Sequence, residues 1–126
     1  MSQDDARSDV PSISPAEFHV LVALADEDLH GYAIMQAVEE DTRGEVTLGP
    51  GTLYGAIKRL VESGCIRQTD ATGRPDHDDR RKYYTLTRLG REAARAEAGR
   101  LESLVRLARS KPSLELSAGT PAPSRS

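Results

Sequence analysis

The chain has 126 residues, 37% of them apolar, with a single cysteine, which allows one small domain with a modest core and excludes an intrachain disulfide framework. It has no run near 18 apolar residues and no leader-like start, so the expectation is a soluble cytoplasmic protein with no membrane partner. The net charge of −3 hides a split: residues 1–49 carry 2 basic and 11 acidic side chains and residues 50–111 carry 14 basic and 8 acidic, so the total does not exclude a polyanionic partner that responds to the local field.

Residues 1–12 (Asp4, Asp5, Ser8, Asp9, Pro11) are short of core formers and read as a disordered arm. Ser14-Pro15-Ala16-Glu17 is a capping-box start, with proline in the first helical position. The helix it opens is expected to run to about Ala25. Phe18, Leu21, Val22 and Ala25 make one apolar stripe, which Val20 and Leu24 widen. A helix this apolar calls for cover on two sides, by its own domain and by a partner chain.

Asp26-Glu27-Asp28 breaks that helix, and a second is expected from His30-Gly31 to about Thr42. Glu45-Val46-Thr47-Leu48 is β-inclined. Pro50 then opens a third helix, in which Leu53, Ile57, Leu60 and Val61 fall on one stripe, and Gly64 ends it as a left-handed cap. Cys65–Thr69 and Lys82–Leu86 read as a strand and its return, joined by a loop rich in Asp and Gly. Alternation places one of Tyr83 and Tyr84 toward the core and the other on the opposite surface. Thr87 caps a last long helix to about Ser110, stopped by Pro112, and residues 113–126 read as disordered.

This order is that of a winged helix-turn-helix, a mainly α fold with a small β-hairpin, extended here by a C-terminal dimerisation helix. The expected units are an arm at 1–12, a DNA-binding domain at 13–87, the dimerisation helix at 88–111 and a tail at 112–126. The third helix is the candidate reader. Behind it lie aliphatic side chains. In front lie Gly51, Gly55, Lys58 and Arg59, with Thr52 on a flank and Glu62 the one acid. A helix that is slim and basic in front can enter the major groove of DNA.

Four segments carry a family likeness: Leu29-His30-Gly31-Tyr32, Gly49 to Tyr54, Arg59 to Gly64, and Arg81 to Thr87. In this order they resemble the PadR family of bacterial transcriptional regulators, over about residues 14–110. The resemblance implies a dimeric winged-helix repressor that binds an inverted-repeat operator and is released by a small aromatic or hydrophobic effector. Gly49 and Gly55 depart from the polar residue and proline common at these places in the family. The wing carries an acidic insert, Asp76-His77-Asp78-Asp79, and the chain looks like the short subclass, in which one terminal helix makes the dimer.

The expected DNA-binding set is Pro50, Gly51, Thr52, Tyr54, Gly55, Lys58, Arg59, Arg74, Arg80, Arg81 and Lys82. Tyr54 can either donate to a phosphate or pack at the core's edge. Lys58 and Arg59 can reach a phosphate or a guanine edge, and Arg59 is placed nearer the centre of the exposed face. The expected dimer and effector surface is Phe18, Leu21, Val22, Leu101, Leu104, Val105 and Ala108. An apolar cavity is expected between the first helix and the partner's last one. His19, His30 and His77 lack clustered partners, so no metal or other cofactor is expected, and Cys65 reads as a small buried hydrophobe. No catalytic set appears, which leaves two readings: a DNA-binding regulator, or a winged-helix protein-interaction module that does not bind DNA.

Overall fold

The computed structural model describes residues 10–69 and 82–115. The elements are α1 (Pro15–Ala23), β1 (Leu29–His30), α2 (Gly31–Asp41), α3 (Pro50–Ser63), β2 (Ile66–Thr69), β3 (Tyr83–Leu86) and α4 (Arg88–Arg109). Among the described residues no helix is long and apolar enough to cross a membrane. The chain is mainly helical with one small antiparallel sheet, the winged helix-turn-helix architecture.

Local chemistry sets the helix ends. Ser14 Oγ accepts from the Glu17 amide at 3.2 Å while Glu17 accepts from the Ser14 amide at 2.8 Å, so the capping box is closed. The imidazole of His30 caps α2 by accepting from Ala33 N–H. The α3 helix has Gly49 as its N-cap and Pro50 in its first turn, and it stops at Gly64, which adopts φ of 84°. Thr87 caps α4 through the Gly90 amide.

The core gathers Val20 and Leu21 of α1 with Leu24 at its C-cap, Ile34 and Val38 of α2, Leu48, and Leu53, Ala56, Ile57 and Leu60 of α3. Cys65, Ile66, Tyr84 and Ala93 complete it. Each large aliphatic group there contributes roughly 1.5–3 kcal/mol relative to exposure. Because Ala93 and Glu97 are buried, the core continues into α4 well past residue 88, where the sequence placed the start of a separate helix.

Three expectations are corrected here. The short third strand is Leu29–His30, not 45–48: the sheet order is β1-β3-β2, with Leu29 opposite Tyr84 and His30 opposite Tyr83. The 45–48 stretch turns back instead, its Val46 amide held by Thr42 Oγ1 at 3.0 Å, and Leu48 enters the core. Tyr83 and Tyr84 are both buried, because the His30 ring meets Tyr83 edge-on at 5.3 Å on the face away from the core. Leu21 lies fully within the core and is not available to line a dimer or effector surface; the outward apolar groups of α1 are Phe18 and Val22.

Candidate nucleic-acid interface

One corner fixes α3 relative to the rest of the chain. Thr87 Oγ1 donates toward the carbonyls of Gly64 at 2.6 Å and Cys65 at 2.9 Å. Gly90 lies against the Cys65 carbonyl so closely that an added Cβ would collide with that backbone. The exit of α3 and the entry of α4 therefore meet on the same two peptide groups.

At its other end α3 is open. No side chain caps its first turn, and a Cβ at Gly49 or Gly51 would meet nothing within 4 Å. The amides of Gly51 and Thr52 belong to the first turn, which has no acceptor within its own helix, so they can receive an anionic oxygen from outside. Thr52 is exposed beside them.

Tyr54 packs at the edge of the core, the second of the two roles the sequence left open. Its ring packs on Gly31 at the start of α2, where any Cβ would run into the phenol, and the residue remains half exposed. Burial, and secondarily the nearby Tyr54, push the Tyr84 hydroxyl above its ordinary range. Any side chain at Gly31 would require the Tyr54 ring to move from its place.

Helical periodicity with Leu53, Ala56, Ile57 and Leu60 inward puts Gly51, Gly55, Lys58 and Glu62 at the centre of the outward face. Lys58 is 74% exposed, with its ammonium 3.5 Å from Glu62. Such an exposed i,i+4 pair is weak and yields readily to a phosphate.

Arg59 is placed differently from its expected central position. It sits on the flank facing α1, and its Nε donates to Glu17 Oε2 at 2.5 Å. Glu17 keeps only 9% of its side chain exposed, against 57% for Arg59. Burial alone would raise the Glu17 carboxyl, but the Arg59 hydrogen bond and charge and the bonds from Ser14 outweigh it and hold the carboxyl below its ordinary range. Glu17 was legible only as a helix cap, since its guanidinium partner lies 42 residues away.

Lys82 is exposed at the start of β3. Arg74, Arg80, Arg81 and the acidic insert 76–79 lie outside the described residues, as do the arm before Val10 and the tail after Glu115. Of the expected second surface, Leu101, Leu104 and Val105 are exposed on the distal half of α4 and Ala108 is half-buried. Cys65 is buried and unpaired by disulfide. Among the described residues no cluster of His, Cys, Asp or Glu could hold a metal ion.

A model of the PadR-like family of transcriptional regulators matches residues 20–96, which span α1 from Val20, the whole of α3 and the first turns of α4. The chain belongs to that family. This PadR-like chain is 42% identical over 83 residues to an uncharacterized 37.1 kDa protein in transposon TN4556 of Streptomyces fradiae. The match takes in 66% of the chain and 22% of that protein, so the chain spans about a fifth of its length.

Solved structures agree on the fold. A PadR family transcription regulator from hypervirulent Clostridium difficile R20291 superposes with a TM-score of 0.65 at 24% identity, covering 77% of this chain and 97% of that one. A transcriptional regulator from Clostridium thermocellum gives 0.63 at 25% identity, over 72% and 86% of the two chains. Bacillus subtilis PadR in complex with operator DNA gives 0.56 at 21% identity, over 67% and 46%.

Proposed function

We propose that this PadR-like regulator is a homodimer that binds an inverted-repeat operator in double-stranded DNA and represses its own or adjacent genes. The outward face of α3 carries the reading: a rigid helix, anchored behind by four buried aliphatic residues, presents glycines, Thr52, Lys58 and open first-turn amides to solvent. Small groups let the helix approach base edges, while the amides and Lys58 supply phosphate contacts. Lys82 and the basic residues before it, Arg74, Arg80 and Arg81, add backbone contacts from the wing.

The dimer rests on α4. Beyond Glu97 this helix leaves the core with Leu101, Leu104, Val105 and Leu107 exposed. An aliphatic stripe on a projecting helix is suited to a second copy, with Phe18 and Val22 of the partner's α1 as the other wall. Two readers would then lie one helical turn of DNA apart, roughly 34 Å. A small hydrophobic effector would act by binding the released arrangement more tightly than the DNA-bound one. In the single chain an open groove of about 630 Å³ between residues 10–13 and α4, walled by Val10, Ile13, Ala93 and Ala96 and also by the polar Glu97, Arg100 and Ser103, has room for one.

Mobility shift on the DNA upstream of the chain's own reading frame tests the proposal. A shift that weakens steeply with salt supports it. No shift at low salt, with the chain folded and dimeric, would favour the protein-interaction module.

A further inference from the structure

The buried carboxylate of α1 and the guanidinium of the reader helix have a consequence for sequence discrimination. Both oxygens of Glu17 are engaged, Oε1 by the Ser14 amide at 2.8 Å and Oε2 by Arg59 Nε at 2.5 Å. A guanidinium offers five N–H donors in a rigid plane. Of the Arg59 donors only Nε–H has a partner among the described residues, which leaves both Nη groups uncommitted on a side chain that is 57% exposed and held at Nε.

The position of one of them is given by a neighbouring glycine. Nη1 lies 3.5 Å from the point a Gly55 Cβ would occupy, so the guanidinium folds back one turn along α3. That carries it toward the N-terminal half of the helix, the part that meets base edges in helix-turn-helix proteins. Gly55, open space to most side chains, is here the floor beneath a charged plane.

Charge separates the two ways such a group can serve DNA. The Glu17–Arg59 pair is close to neutral as a unit, so it gains little from a phosphate and releases few counterions. Hydrogen bonding to a base edge needs direction more than net charge. A planar fork fixed from behind matches guanine O6 and N7.

Resting on the DNA-binding reading above, we infer that Glu17 is a positioning residue for operator recognition: it holds Arg59 as a fixed two-pronged reader of a guanine edge, while Lys58 supplies phosphate attraction. Glu17 itself touches no DNA. Its effect passes through Arg59.

The test selects bound sequences from a pool of random duplexes with the full wild-type chain. Affinities for the selected site and for each G·C to A·T change are then measured across a salt series. Arg59→Lys keeps the charge but loses the fork. It is expected to lower the preference at one G·C pair per half-site by about ten- to a hundredfold, with an unchanged salt slope. Glu17→Gln is expected to lose the same preference while binding unrelated DNA as well as wild type or better, with a steeper slope, because Arg59 then acts as a free charge. Ser14→Ala removes only the α1 cap and should keep the preference. Lys58→Ala should keep it too, with a slope shallower by about one.

Preference retained in either Glu17→Gln or Arg59→Lys overturns the inference, as does a preference lost equally in Ser14→Ala. Uniform weakening with a shallower slope in Arg59→Lys assigns Arg59 to phosphate instead. If the wild-type chain enriches no sequence at any salt, the DNA-binding reading fails and this inference with it.

Discussion

Helices α3 and α4 are both amphipathic, and they leave opposite kinds of surface outside. On α3 the centre of the outward face holds Gly51, Gly55, Lys58 and Glu62, and the helix is seated in the core from Leu53 to Leu60. Tyr54 and Val61 are partly exposed on its flank, although Val61 was expected on the inward stripe. On α4 the buried positions are Gly90, Ala93 and Glu97, all in the first half, and the second half exposes Leu101, Leu104 and Val105. A face whose centre lacks apolar bulk gains little there from an apolar partner but leaves room for the edges of a groove. An outward face rich in leucine costs free energy in water until another apolar surface covers it. The same fold therefore offers two contacts of different physical kind, separated by the Thr87 corner.

The comparison can be broken most severely at its shared root. Leu60→Ala, at a fully buried position, is expected to cost about 2–5 kcal/mol in urea unfolding. Gly90→Ala forces a methyl into the Cys65 carbonyl and should cost about 1–3 kcal/mol, whereas the same change at the exposed Gly99, where nothing lies within 4 Å, should not destabilise. Equal effects at the two glycines would remove the distinction between the seated and projecting halves of α4.

Leu104→Glu addresses the projecting half alone. It should weaken self-association by at least about 2 kcal/mol, seen by sedimentation, while leaving the folded protomer's helix content intact. Loss of folding instead would show that Leu104 serves the protomer's interior.

Acid titration sharpens the α1–α3 link. Folding holds the Glu17 carboxyl below its ordinary value of 4.5, so the unfolded chain takes up that proton first. The contribution of the group is present above that value and is lost as pH falls through the folded value. Glu17→Gln should therefore flatten the stability profile below about pH 4.5 and leave its slope near neutrality unchanged. The smallest effect is expected at Gly55→Ala. Its methyl would meet Arg59 at an ordinary 3.5 Å, and the gain in helix propensity should stabilise the chain by up to about 1 kcal/mol.

Features with a local cause were legible in the sequence. Pro50 and Gly64 bound α3, Ser14 with Glu17 begins α1, and Thr87 begins α4, because each acts on backbone groups within a few residues. Features that depend on distant partners were not. A two-residue strand has no alternation to read, and Leu29–His30 becomes a strand only because β3 returns beside it more than fifty residues later. The Val46–Leu48 stretch has strand-like side chains but pairs with no strand of the sheet, whose order is β1-β3-β2. Leu21 and Val22 both looked like interface residues, since periodicity reveals an apolar arc but not where the protomer's own core ends. Arg59 looked like the middle of a free face for the same reason: its tether to Glu17 spans two helices and no short window contains both.

The junction at Gly64, Cys65 and Thr87 has a mechanical consequence. With the last turn of one helix and the first turn of the next clasped to common carbonyl oxygens, neither can pivot without the other. In a twofold assembly built on α4, the two long arms would act as cranks: changing the angle at which they cross would swing the DNA-facing ends apart or together as solid pieces. The tolerance of such an assembly to added or deleted base pairs between half-sites would then be a direct gauge of how stiffly those arms are splayed.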